Sequence, residues 1–262
     1  MNNLIATVRR ALQSSEVDEK ISLTRQAMHE LREDSRMPVD FGTPLPVDSP
    51  GRPARPKLVR GAKVAKRGFG TLEGRIIMMH AIAHIEFNAI NLALDAVQRF
   101  PDMPEQYYRE WVQVAQEEAY HFELVRAHLR HLGADYGDFD AHGSLWEMCE
   151  KTAHDVLHRM ALVPRVLEAR GLDVTPGIME KLTQAGDHNA VSLLEIILRD
   201  EIGHVSIGNR WFRYCCEQRG LEIEETFFAL LEQYYPRGLF GPFNLEAREQ
   251  AGFSKSELDR LV

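Results

Sequence analysis

The sequence predicts an all-α chain built around a four-helix bundle. Three observations carry this. Long stretches lack Pro and Gly and repeat apolar residues at spacings of three and four. Helix-breaking residues bracket those stretches, at Pro101, Pro104, Gly133, Gly171 and Gly220. No alternating pattern long enough for a sheet occurs anywhere in the chain.

The periodicity places long helices at about 71–99, 104–132, 144–170 and 187–219. Pro101 and Pro104 end the first, Gly133 the second, Gly171 the third and Gly220 the fourth. Each is about 40–50 Å long, the length of a bundle helix. Shorter helices are expected at 176–185 and 223–235. The first 35 residues read as one or two short helices, with Ser14-Ser15-Glu16 supplying a cap and a break. Residues 37 to 56 hold Pro38, Pro44, Pro46, Pro50, Pro53 and Pro56, which forbid a regular helix and predict an extended connector. The expected organisation is an N-terminal helical segment 1–36, an extended Pro-rich and basic arm 37–70, the bundle 71–220, and a C-terminal short helix and tail 221–262.

With 262 residues, 44% hydrophobic and 27% charged, the chain can bury one large core. No run of 18 apolar residues exists, so no membrane span is expected. The start has two arginines and no stretch apolar enough for a signal peptide, which points to the cytoplasm. Three cysteines, Cys149, Cys215 and Cys216, two of them adjacent, make a poor disulfide framework and a poor thiolate zinc site. The net charge of -8 is uneven. Residues 51 to 75 carry eight Lys or Arg against Glu73, so this segment is +7 and the remainder -15. Such an arm either attracts RNA through residues 52–75 or lies across the acidic helices of its own chain or a partner's.

The bundle helices carry polar residues inside their apolar stripes. The first runs Met79, Ala83, Glu86, Ile90, Ala93, Val97. The second runs Trp111, Val114, Glu118, His121 or Phe122, Val125, Leu129. The fourth runs Val191, Leu194, Leu198, Glu201, His204 or Val205, Gly208, Trp211. A buried carboxylate is costly unless paired or bound to a cation. Glu117-Glu118-Ala119-Tyr120-His121 also repeats as Asp200-Glu201-Ile202-Gly203-His204, each acid-Glu-x-x-His. The i, i+3 spacing puts Glu and His on one helix face, where both can reach one metal.

One Glu from each of two helices, with Glu-x-x-His from each of the other two, is the ligand set of a ferritin-like dimetal bundle. Glu86 lies 15 residues before Pro101 and Glu118 lies 14 after Pro104, so an antiparallel hairpin would level them. The spans Glu86 to Glu118 and Glu168 to Glu201 are 32 and 33 residues, which suggests two related helix pairs. The expected metal ligands are Glu86, Glu118, His121, Glu168, Glu201 and His204. Glu168 stands at the edge of its stripe, with Glu150 and Asp155 as rivals, and Glu195 is a rival on the fourth helix. His80 and His84, and His154 and His158, read as core histidines hydrogen-bonded to carboxylates. Tyr120 reads as packing, and Arg159 with Asp155 as a buried pair. Four carboxylates and two imidazoles suit two iron ions, with manganese or a mixed manganese–iron pair as variants.

Gly74-Arg75, the run His80 to Glu86, the run Glu117 to Phe122, the run Glu168 to Asp173 and the run Asp200 to Val205 resemble a bacterial ferritin-like family. That family is known as a domain of unknown function, and some of its members are labelled rhamnosyltransferase. The resemblance covers about residues 52 to 219. Glu168-Ala169-Arg170 is also similar to the third-helix ligand segment of the more distant di-iron tRNA hydroxylase MiaE, which implies that Glu168 is a ligand. The transferase label has no counterpart here, since no nucleotide-sugar-binding βαβ pattern occurs. The resemblance implies an oxygen-activating oxidoreductase or hydroxylase that takes dioxygen and a small-molecule or modified-nucleoside substrate. A ferroxidase or metal-handling protein and a non-catalytic binding module are the alternatives. A homodimer is the expected assembly.

Overall fold

The computed structural model describes residues 4–33, 42–46, 48, 50–65 and 68–262. Parts of the expected arm, residues 37–41, Val47, Ser49, Lys66 and Arg67, lie outside them. The described regular elements are helical, and β pairing among them is a single bridge between Leu58 and Ala141. The chain forms two compact units, Met1–Glu150 and Lys151–Val262.

The first unit starts with a helical hairpin, α1 (Leu4–Gln13) and α2 (Val17–Glu33), broken where the Ser14 hydroxyl accepts from Glu16 N at 3.2 Å. This hairpin packs on a longer one, α3 (Leu72–Arg99) and α4 (Glu105–His131). Thr71 caps α3 by accepting from Gly74 N. Two tyrosines of α4 clamp the turn between the long helices. Tyr108 Oη donates to the Phe100 carbonyl at 2.8 Å and accepts from Met103 N at 3.0 Å, while Tyr107 Oη donates to Ala96 O. An 18-residue window of α3 has mean hydropathy 1.3 and is apolar enough to cross a membrane, but 83% of it is buried inside the fold. The described part of the arm, irregular apart from a 3-10 turn at Gly61–Lys63, lies on this unit. Gly51 N donates to Leu12 O, and a Cβ at Gly51 would sit 2.0 Å from Gln13 O. Val59 N donates to Ala141 O, and Ala141 N to Lys57 O.

The reading of 144–170 as one helix, a stretch that runs from the end of the first unit into the second, is corrected. That stretch is α5 (Ser144–Lys151), α6 (Val156–Leu162) and a π-helical turn, Val163–Glu168, which passes directly into α7 (Ala169–Gln184). Asp155 makes the break. Its carboxylate accepts from Leu157 N as an N-cap and holds Arg219 at 2.7 and 2.8 Å, instead of pairing with Arg159 in the core. Arg159 donates to Thr152 Oγ1. The widened turn contains Pro164, which has no N–H for an i−4 bond. Gly171 does not end the helix, because a mid-helix glycine costs only about 1 kcal/mol and the next residue, Leu172, is fully buried. The separate helix expected at 176–185 is the continuation of α7. Pro176 leaves the Leu172 carbonyl without its helical donor, and Asn244 Nδ2 supplies one at 3.2 Å.

Helix α8 (His188–Gln218) packs against α6, the π turn and α7, and Asp187 caps its start. Then follow α9 (Ile223–Tyr234), α10 (Leu245–Gln250) and α11 (Lys255–Leu261), the last two within the expected tail. Two buried arginines tie this tail down. Arg165 stacks between Phe212, Phe227 and Phe253 at 4.4, 4.0 and 4.8 Å and pairs with Glu257, which also completes the capping box of α11. Arg248 grips both oxygens of Asp173 at 2.8 and 2.7 Å.

Two tests follow from these contacts. A Cβ at Gly208 of α8 would lie 2.2 Å from Pro164 Cβ. Gly208→Ala therefore overpacks the π turn at a cost of about 1–3 kcal/mol. This outweighs the gain of about 1 kcal/mol in helix propensity, so the urea midpoint falls. Lys20, fully buried, donates to the Ala11 and Leu12 carbonyls at the end of α1 at 2.6 and 3.0 Å. Burial pushes its ammonium pKa from 10.5 down to about 7. Between those values the unfolded chain binds more protons than the folded one, so this residue makes stability rise with pH. In urea unfolding, the stability of the unsubstituted protein relative to Lys20→Met should increase from pH 7 toward pH 10; a flat difference would contradict the assignment.

Candidate metal centre

The α3–α4 hairpin sets its two acidic side chains level, as the proline spacing requires. His121 Nδ1 lies 3.6 Å from Glu86 Oε2 of the neighbouring helix and 3.6 Å from Glu118 Oε2 one turn away on its own. Glu118 and His121 are 0% exposed and Glu86 is 4% exposed. The three offer ligand atoms that all lie within 4.8 Å of one another. Burial would lower the His121 pKa, but the oxygens and charges of Glu118 and Glu86 outweigh it and push the pKa up to about 11.

Asp95 on the same α3 is the useful contrast. It is equally buried and receives Arg99 at 2.6–3.0 Å, Gln98 at 3.0 Å and the Cys149 thiol at 3.3 Å, so a full guanidinium neutralises one carboxylate. At Glu86 and Glu118 one imidazole faces two carboxylates. Two hard oxygen donors and one imidazole nitrogen, buried and convergent, fit a divalent cation that takes mixed O and N ligands.

In the second unit, α8 presents the repeated pattern. His204 Nδ1 lies 3.6 Å from Glu201 Oε1; His204 is 1% exposed and the Glu201 side chain 13%. Glu168 is the last residue of the π turn, half-buried, on the segment that packs against α8. Thus Glu86, Glu118 and His121 meet in one unit, Glu201 and His204 meet in the other, and Glu168 sits at the π-to-α junction. Of the other candidates, Glu150 and Glu195 are exposed, and Asp155 holds its cap and Arg219.

Of the two expected core pairs, His80 and His84 are buried, whereas His158 is half-buried and His154 exposed, and the described hydrogen bonds of His80, His84 and His158 are not to carboxylates. His80 Nε2 accepts from Gly137 N at 3.0 Å. His84 Nε2 faces the His142 carbonyl at 3.1 Å, so it carries the proton, and Nδ1 accepts from Tyr136 Oη at 3.0 Å. Burial pushes His84 down to about 4, which keeps it neutral. His158 Nδ1 meets Tyr234 Oη at 2.9 Å. Tyr120 is 45% exposed and is not a packing residue. The π turn that ends at Glu168 is a local feature that periodicity misses. Pro164, four residues before Glu168, is its one local signal.

Residues 13–259 match a family described as "Protein of unknown function (DUF455)". The chain belongs to this family. It is also 51% identical over 228 residues to an "Uncharacterized protein" of Haemophilus influenzae, covering 84% of this chain and 79% of that one. No solved structure matches the chain. For this family member the cluster itself can be tested by calorimetric titration with manganese(II). Glu118→Gln and His121→Ala should each weaken binding by roughly tenfold or more, whereas Glu195→Gln, at an exposed position of α8, should leave it unchanged.

Proposed function

We propose that this protein is a dinuclear carboxylate oxidoreductase of the oxygen-activating, hydroxylase type. The carrying observation is the buried Glu86–Glu118–His121 cluster. The second Glu-x-x-His pair, Glu201 and His204, supports the reading by repeating the first in sequence and in its 3.6 Å separation. In this proposal those five residues and Glu168 are the ligands of two metal ions, iron before manganese or a mixed pair. Six ligands leave open positions for a small molecule.

Such a pair of reduced ions would supply electrons to dioxygen. The chain's own residues supply the rest. The carboxylates of Glu86 and Glu118 hold the charge that retains the cations, His121 and His204 cap one ion each, and the apolar stripes of α3 and α4 keep bulk water out. In a hydroxylation, one oxygen atom enters a C–H bond of the substrate and the other leaves as water. Two electrons and two protons then come from an external donor. The substrate in this reading is a small molecule or a modified nucleoside. An RNA contact through the basic stretch 52–75, a cytoplasmic location and a homodimer belong to the same proposal.

The test is anaerobic loading with iron(II), metal analysis, and dioxygen uptake in the presence of a reductant and candidate substrates. The expected result is about two irons per chain and uptake that exceeds oxidation of the bound iron when substrate is present. Uptake that stops once the bound iron is oxidised, whatever the substrate, overturns the hydroxylase reading. Many irons per chain in a very large particle would identify storage, and less than about one tightly bound iron per chain would leave a binding module.

A further inference from the structure

The second unit holds a pocket of about 520 Å³ that the metal proposal does not use. Tyr234, Tyr235, Phe240 and Phe243 give it aromatic walls, and Arg170, Arg237 and Arg248 bring three guanidinium groups to it. Asp173 is the one carboxylate among its described lining residues. That charge is already engaged. Both Asp173 oxygens accept from Arg248, at 2.8 and 2.7 Å, and Arg170 lies 3.8 Å away.

Two of the three cations retain capacity to bind. Arg248 is 1% exposed, and its Nη1 has no hydrogen-bond partner. A buried N–H left without an acceptor is destabilising, and an incoming oxyanion would supply that acceptor. Arg237 is exposed in the loop after α9, and no described carboxylate pairs with it. Arg170 shapes the pocket, donating to the carbonyls of Phe240, Gly241 and Pro242 at 2.9, 3.4 and 2.9 Å. Its grip holds the loop that presents Phe240, which is 68% exposed.

We propose that this pocket binds an organic anion: a carboxylate or phosphate head placed at Arg237 and Arg248, with a flat apolar body against the tyrosines and phenylalanines. Guanidinium groups bind both oxyanions through paired N–H donors. The excess positive charge excludes a cationic ligand. A bare inorganic anion would leave the aromatic walls and most of the volume unused, since pockets of this size enclose most of a small organic molecule.

The proposal is independent of the metal centre, so it is tested on the full-length, metal-free protein. Calorimetric titrations would use naphthoate, naphthyl phosphate, the neutral analogue naphthalenemethanol, and inorganic phosphate. At least one naphthyl anion should bind about tenfold or more tightly than both the neutral analogue and inorganic phosphate. The preference between the two anions shows whether the natural head is a carboxylate or a phosphate. Arg237→Ala and Phe240→Ala, both at exposed positions, should each weaken that anion by about tenfold with an unchanged melting temperature. Equal affinity for the neutral analogue, no loss in either variant, or no binding of either anion beyond inorganic phosphate would overturn the assignment.

Discussion

A charge inside a helical interior has to be met by an opposite charge or a carbonyl where it lies, because water is not there to do it. This protein buries charge repeatedly, and its helices are anchored at those points. Lys20 ends α1 by donating to two of its last carbonyls. Asp95 takes Arg99 from the next turn of α3. Asp173 takes Arg248, and Glu257 takes Arg165, which brings α10 and α11 onto α7 and the π turn. Each of these acids has a guanidinium of its own. At Glu86, Glu118 and His121 two acids from neighbouring helices converge on one imidazole, a geometry that the structural ion pairs above do not share.

The hairpin that carries the cluster was legible because its determinants are local. Pro101 and Pro104 bracket the turn, and the three-residue step from Glu118 to His121 fixes a shared face. An equal count of helical residues on either side of the turn puts Glu86 at the same height, and the 3.6 Å contacts follow from that arithmetic. The tyrosine clamp at Tyr107 and Tyr108 was not legible in the same way. Their hydroxyls act on backbone carbonyls that only the folded turn brings near.

The third long helix failed for the complementary reason. Apolar periodicity continues through Leu157, Met160, Ala161 and Pro164, so the pattern alone sees one helix. Asp155 breaks it because Arg219, 64 residues away, holds the carboxylate in its capping pose. Gly171 and Pro176 look like terminators, yet Asn244, 72 residues from Leu172, takes over the carbonyl that Pro176 leaves without a donor. Local propensity was overridden each time by a partner far along the chain, and such partners cannot be paired from one sequence. The arm shows the same limit. Its prolines announce an extended path, but its course is fixed by Leu12 and Ala141, which its own composition does not name.

A buried ion pair is weak evidence of function, since an apolar pair of similar volume is often as stable. The cluster is stronger evidence because its donors come from two helices and converge within ligand-bonding reach of one another. Structural pairing predicts matched charges, flexible cationic partners and one-to-one geometry, as at Asp95 and Asp173. Cation binding predicts an excess of acid, donors from more than one helix and a stiff imidazole among them. Glu86, Glu118 and His121 meet the geometric conditions of the second set: donors from two helices and a buried imidazole among them. The family match describes no activity, so the chemistry has to be argued from those donors. Hard carboxylates with an imidazole fit a divalent ion and disfavour one that needs thiolate ligands. The step from a metal site to an oxidoreductase is the proposal's own.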